Sequence, residues 1–201
     1  DVISESAFSF GDRLVSAEFG VVGTVGEGAF SQCPRLKSVA FAAVDTIGDF
    51  AFRSCSALAD ATLGNGDGLS IGDRAFADCI SLREFEYAGH IADIGEYAFN
   101  NDSALMRLSL GGVDSIGERA FASCFELGKV TFTGNVGSVG AGAFNTSGVT
   151  ELRFGGNVGT IGRAAFANCF DLRSVDFGGS LAALGNGVFS LCSLLKTITL
   201  P

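Results

Sequence analysis

Apolar residues in this chain recur at fixed distances, in two alternating modes. In one mode the pattern ends in a period-two alternation, as in Leu172-Arg173-Ser174-Val175-Asp176-Phe177. Such alternation predicts a short strand with one buried face. Matching stretches run over 36–41, 58–63, 82–87, 105–110, 127–132 and 195–200. In the other mode a compact phrase recurs, with its cleanest copy at 116–127, IGERAFASCFEL. It can be written as an aliphatic residue, Gly, two variable residues, Ala-Phe, two variable residues, Cys, two variable residues and Leu. The Phe of this phrase falls at Phe8, Phe30, Phe52, Phe76, Phe99, Phe121, Phe144, Phe166 and Phe189, so successive copies lie 22 to 24 residues apart.

A period of that length is the signature of a solenoid whose coils each bury a face against their neighbours. The expected fold is a solenoid of about nine coils, with one short parallel β-strand per coil. The phrase crosses the opposite side as a turn or a single helical turn, being too short for a helix without tertiary support. The repeat fills the chain, so 1–201 reads as a single domain. Neither end shows the polar cap that solenoids need, and the chain is expected to be a piece of a longer array.

Each fixed position of the phrase has a structural reading. The Phe side chains should stack as an internal ladder, each worth roughly 2–3 kcal/mol by buried area. The Gly at 26, 48, 72, 95, 117, 140, 162 and 185 either takes positive φ or permits close backbone approach. All six cysteines sit three residues after a marker Phe: Cys33, Cys55, Cys79, Cys124, Cys169 and Cys192; Gly11, Asp102 and Ser147 hold that place in the other coils. A file of buried free thiols is the expected state. Disulfides between adjacent coils are the rival, disfavoured because parallel Cβ vectors do not converge. Zinc is not expected, since the spacing contains no CxxC pair and a straight file cannot supply tetrahedral ligands.

Composition narrows the function classes. The net charge of −9, with no basic stripe along the sequence, argues against nucleic acid and anionic membrane surfaces. No apolar run approaches the ~20 residues of a membrane span. His90, the only histidine, lies in a connection with no nucleophile pattern around it and reads as a solvated loop residue. The run Gly64-Asn65-Gly66-Asp67-Gly68 is similar to glycine-rich calcium-binding turns, but a single copy lacks the tandem ligands and reads as a bulging loop. The acid after the phrase Gly (Glu5 after Ser4, then Glu27, Asp49, Asp73, Glu96 and Glu118) reads as a favourable charge at the start of a helical turn. An acidic stripe for a cation or basic partner is the alternative. Asn101 and Asn145 open N-glycosylation sequons. No cofactor and no metal are called for.

The recurring IGxxAFxxCxxLxxVxF resembles the BspA-like leucine-rich repeat family over nearly all of the chain. The family's Pro after the strand is kept only at Pro201, with Gly or Ala elsewhere. The resemblance implies a leucine-rich-repeat solenoid in a secreted or cell-surface protein that binds host or matrix proteins, with no catalytic residues. The expected function is therefore a non-catalytic protein-binding or adhesion module; a structural spacer or stalk is the alternative. The solvent-facing strand positions are the candidate ligand face. There an acidic group, Asp60, Glu84 and Glu86, is expected to abut a basic one, Arg107, Lys129 and Arg153. No aromatic is expected on that face.

Overall fold

The computed structural model describes residues 1–64 and 66–200, so Asn65 of the glycine-rich run and Pro201 lie outside the described residues. The expected strand is present in each coil: β4 (Asp60–Thr62), β6 (Glu84–Tyr87), β8 (Arg107–Leu110), β10 (Lys129–Phe132), β12 (Glu151–Phe154), β14 (Ser174–Phe177) and β16 (Thr197–Thr199). In the first coils this strand is the leading half of β2 (Ser16–Val25) and β3 (Ser38–Ile47). From β6 to β16 these strands form one parallel sheet. Along it, Glu84, Arg107, Lys129, Glu151, Ser174 and Thr197 stand in one register row.

The structure adds a second parallel sheet. It runs from β1 (Val2–Ile3) through β2 and β3 to β5 (Leu69–Ile71), β7 (Ile91–Ile94), β9 (Val113–Ile116), β11 (Val136–Val139), β13 (Val158–Ile161) and β15 (Leu181–Leu184). The four-residue segments β7, β9, β11 and β13 bury their first and last residues and leave the middle two at least partly exposed, as in Val113-Asp114-Ser115-Ile116. Their pairing skips the second residue: Val136 opposes Val158 and Ser138 opposes Thr160. That spacing of three between inward residues is not the period-two signal of a regular strand, which is why the sequence marks only an apolar position there.

The third side is the phrase. Among the described residues none is helical, and the phrase is a chain of turns. Two residues per coil adopt left-handed φ, for example Arg119 at 53° and Ser123 at 61°. The turns are tied coil to coil by backbone hydrogen bonds: the amides of Phe52, Phe76, Phe99 and Phe121 donate to the carbonyls of Ala75, Ala98, Ala120 and Ala143 at 2.7–2.8 Å. The phrase Gly does not take positive φ; close approach is its reason. A Cβ on Gly117 would lie 2.6 Å from the Gly95 carbonyl carbon and 2.7 Å from the Glu96 nitrogen. The coil after Phe144, one residue short, is accommodated by Gly148, where a Cβ would overlap the Phe125 carbonyl oxygen.

The marker phenylalanines stack through the centre. Ring centroids from Phe8 to Phe166 are 4.8–5.1 Å apart, and the last step to Phe189 is 5.7 Å. A second file, Phe132, Phe154 and Phe177, stacks at 5.1 Å beneath the sheet. All six cysteines are free. Each thiol donates to the carbonyl of the marker Phe one coil earlier, at 3.1–3.2 Å. The Cys is thus more than a small apolar filler: it satisfies a buried acceptor at the heart of the turn. Burial raises the thiol pKa at Cys79 and Cys124, and pushes Cys169 up to about 12, which keeps these thiols protonated.

Asp102 is the one ionisable carboxyl in that file. It is 0% exposed; its Oδ1 accepts from the Cys79 amide at 2.8 Å, and its Oδ2 has no partner among the described residues. Burial, then the nearby Asp78 charge, holds its carboxyl well above the usual carboxylate range. The unfolded chain ionises this group near pH 4 while the folded chain keeps it protonated. The unfolded state therefore binds fewer protons as pH rises above 4, and this contribution to stability falls until the folded pKa is reached. Asp102→Cys restores the thiol of the other coils and should stabilise by about 1–3 kcal/mol at pH 7. Thermal melts should show the gain shrinking at pH 4. A gain independent of pH, or none, contradicts this reading.

Candidate functional site

The candidate face is the outer surface of the β6–β16 sheet together with β4. Period-two alternation places Glu84, Glu86, Arg107, Lys129, Glu151 and Arg153 outward, over a buried row that includes Phe85, Leu108, Val130 and Leu152. Part of the expected contact is present: Arg107 Nη1 lies 3.9 Å from Glu84 Oε1 and 3.7 Å from Glu86 Oε1. Arg153 Nε lies 3.8 Å from Asp176 Oδ2. All of these groups are about half exposed, so the pairs contribute little to stability and leave the charges available to a ligand.

Asp60 does not join Glu84 and Glu86 in one continuous patch. β4 is hydrogen-bonded on β3 alone and β6 on β8 alone among the described residues. Between them lies a cleft of about 1100 Å³, lined on one side by Ala59, Asp60, Ala61 and Thr62 and on the other by Arg83, Glu84 and Glu86. The longest interval between phrases falls at this point, and its additional residues follow β4. Gly64 there makes an antiparallel bridge with Ala43, and the Gly66 amide donates to the Tyr87 hydroxyl at 3.0 Å. The predicted loop is thus anchored to β3 and to the end of β6, while the candidate face parts in front of it.

Four exposed apolar side chains precede outward strands in the chain. Ile80, Phe125 and Phe170 follow the Cys of their coils and are 46%, 55% and 52% exposed; Met106, just before β8, is 45% exposed. Their signal was present as an apolar residue in a variable slot of the phrase. The slot was unassigned because only the coil geometry shows that it points away from the core.

The remaining candidates resolve into local roles. His90 Nε2 is 2.9 Å from Asp114 Oδ1 and its Nδ1 is 4.0 Å from Asp67 Oδ1, so it bridges β9 and the loop before β5 rather than standing free in solvent. Asp49 and Asp73 accept from the backbone amides of Asp73 and Glu96 in the next coil, at 2.8 and 2.7 Å. They act as side-chain rungs between turns, not as caps of helical turns. Asn101 Nδ2 donates to Asp78 Oδ1 at 2.9 Å. On the turn side, Arg74 lies 4.6 Å over the Tyr97 ring and 5.9 Å from that of Phe50.

Comparison with known proteins agrees with this geometry. The chain is similar to the leucine-rich repeat protein of T. pallidum, at 24% identity with a TM-score of 0.61, over 97% of this chain and 82% of that one. It is also similar to a leucine-rich cell surface protein from Faecalibacterium prausnitzii, at 16% identity with a TM-score of 0.50, over 100% of this chain and 77% of that one. At these identities the likeness concerns the fold. No curated protein matches the sequence. The family model of the BspA type leucine rich repeat region matches in six copies, over residues 1–106 and 114–201. With a solenoid of stacked parallel strands and that match over nearly its whole length, the chain belongs to the BspA-type leucine-rich repeat family.

Proposed function

We propose that this chain is a non-catalytic protein-binding module of a secreted or cell-surface protein, and that its ligand docks on the outward sheet face at Asp60, Glu84, Glu86, Arg107, Lys129 and Arg153. The observation that carries this reading is the division of labour within each coil. Gly, Ala, Phe, Cys and Leu of the phrase are consumed by stacking, whereas the outward strand positions hold charged side chains in register that no scaffold role requires. Exposed Met106, Phe125 and Phe170, which precede outward strands in the chain, supply the apolar contact that binding surfaces concentrate. The cell-surface name of the F. prausnitzii relative supports the location.

The test is capture of this chain by a panel of purified, immobilised extracellular matrix proteins. Glu84→Lys/Glu86→Lys/Arg107→Glu should weaken capture by at least tenfold, about 1.4 kcal/mol, with a melting temperature within a few degrees of the parent. Unchanged capture by this variant overturns the assignment of the face. Capture by no member of the panel, with function lost only when flanking regions are removed, favours a spacer instead.

A further inference from the structure

We propose that the parting between β4 and β6 is an acceptor site for one extended peptide strand bearing lysine or arginine at its outward positions. This deepens the protein-binding reading and rests on it. The regular backbone rung at the strand entry is a donation to the equivalent carbonyl one coil earlier. Lys37 donates to Val15 at 2.8 Å, Ala59 to Lys37 at 2.9 Å, Met106 to Arg83 at 2.7 Å, Gly128 to Met106 at 2.9 Å, Thr150 to Gly128 at 2.7 Å, Arg173 to Thr150 at 2.9 Å and Lys196 to Arg173 at 3.0 Å. The one missing member of that series, among the described residues, is Arg83 to Ala59. Both residues line the cleft.

The two coils have not simply come apart. Phe52 and Phe76 still stack at 5.1 Å, the Phe52 amide still reaches the Ala75 carbonyl at 2.7 Å, and Ser81 Oγ still donates to the Ser56 carbonyl at 2.6 Å. β3 and β5 remain paired in the second sheet. The opening is therefore confined to the outward sheet, where it presents two facing strand edges. Unpaired edges of this kind recruit an added strand through main-chain hydrogen bonds, with side-chain pockets setting specificity. A parallel segment seated there would accept from the Arg83 amide and donate to the Ala59 carbonyl, restoring the rung.

The flanking side chains define the occupant. Its first outward residue would stand between Asp60 and Glu84, and its second between Thr62 and Glu86, since these are the paired outward positions of β4 and β6. Three carboxylates stand at the outward positions of the two edges, against Lys37 and Arg83 at the strand entries, and they favour a basic side chain there. The inward residue would cover Ala61, which is only partly buried at the position where other coils bury Val39, Phe85 or Leu108. An aliphatic residue suits that place. The segment thus alternates basic and aliphatic residues over about four positions, the length of β6.

The experiment is fluorescence anisotropy with a labelled hexapeptide of alternating Val and Lys, with its counterpart of alternating Val and Glu, and with the Val-Lys peptide N-methylated at every second amide. The Val-Lys peptide should bind saturably and slow amide exchange at Arg83. N-methylation, which removes strand hydrogen bonds but keeps the charge, should weaken it at least tenfold. Asp60→Lys/Glu84→Lys should do the same, whereas Glu118→Lys/Glu126→Lys, an equal charge change away from the cleft, should leave it within about twofold; melts of both variants establish folding. The Val-Glu peptide should not saturate. Equal binding of the N-methylated peptide, or binding without protection of Arg83, overturns strand insertion in favour of simple charge attraction. Dimerisation of the chain abolished by Glu84→Lys would also overturn it, in favour of a second copy as occupant. Capture by matrix proteins without peptide binding sinks the insertion and leaves the binding face standing, while failure of both sinks both.

Discussion

Gly117→Val should lower the melting temperature by roughly 6–12 °C, equivalent to about 3 kcal/mol in a chain of this size. The added side chain has nowhere to go. Its Cβ alone would sit 2.6 Å from the carbonyl carbon of Gly95 and 2.7 Å from the Glu96 nitrogen, and both are backbone atoms that cannot rotate away. Relief requires the coils to separate, which weakens the turn ladder and the ring stack on either side. Gly128 provides the internal control. A Cβ there meets nothing closer than 3.6 Å, at the Met106 carbonyl. Gly128→Ala should therefore leave the melt within about 2 °C, in the ordinary range for an unconstrained surface change. Differential scanning calorimetry of the two variants separates close packing from a general intolerance of glycine replacement. A Gly117→Val protein that melts with the parent contradicts the account.

The second large effect is expected at Phe121. Its ring stacks between Phe99 at 4.9 Å and Phe144 at 5.0 Å and is wholly buried. Phe121→Ala should cost about 3–5 kcal/mol, the transfer energy of the ring plus the cavity it leaves between two coils that are already in contact elsewhere. Phe8 occupies the same position of the phrase in the first coil but is 43% exposed. Phe8→Ala should cost less than half as much. Urea unfolding of both variants tests the gradient, and equal losses at the two positions would show that the ladder is not what stabilises the interior.

Much of this scaffold is legible in the sequence because each coil must fit the next, so the same physical demand is written nine times. The Phe ladder, the file of reduced cysteines and the outward sheet positions all follow from spacing alone. What escaped was what spacing does not encode. The second sheet uses inward residues three apart, as at Val113 and Ile116, with a skipped register that no strand periodicity announces. The phrase closes as turns because residues such as Arg119 and Ser123 accept left-handed φ. Those residue types carry no glycine signal, and the coil-to-coil hydrogen bonds of the turn ladder hold them there. The cysteine's task as donor to a marker Phe carbonyl depends on an atom in the preceding coil.

The candidate site was legible to a different degree. The outward alternation of Glu84, Glu86, Arg107, Lys129 and Arg153 follows from strand periodicity, and the Arg107 pairing with Glu84 and Glu86 follows from their register. The division between Asp60 and Glu84 was not visible. The longer interval announces additional residues, but only the hydrogen-bond ladder shows that they part the outward sheet while the turn side stays closed. Repetition makes the scaffold readable, and the departures from it carry what distinguishes this chain.

That contrast between a continuous scaffold and one local parting is measured most directly by amide hydrogen exchange of the folded chain, resolved by residue. The account predicts slow exchange at Phe52, whose amide links the third coil to the fourth on the turn side, and slow exchange at Met106, Gly128 and Thr150 along the strand entries. It predicts that Arg83 exchanges faster than these by at least a hundredfold, because its rung to Ala59 is missing. Protection of Arg83 equal to that of Met106, or exchange at Phe52 as fast as at Arg83, would contradict it.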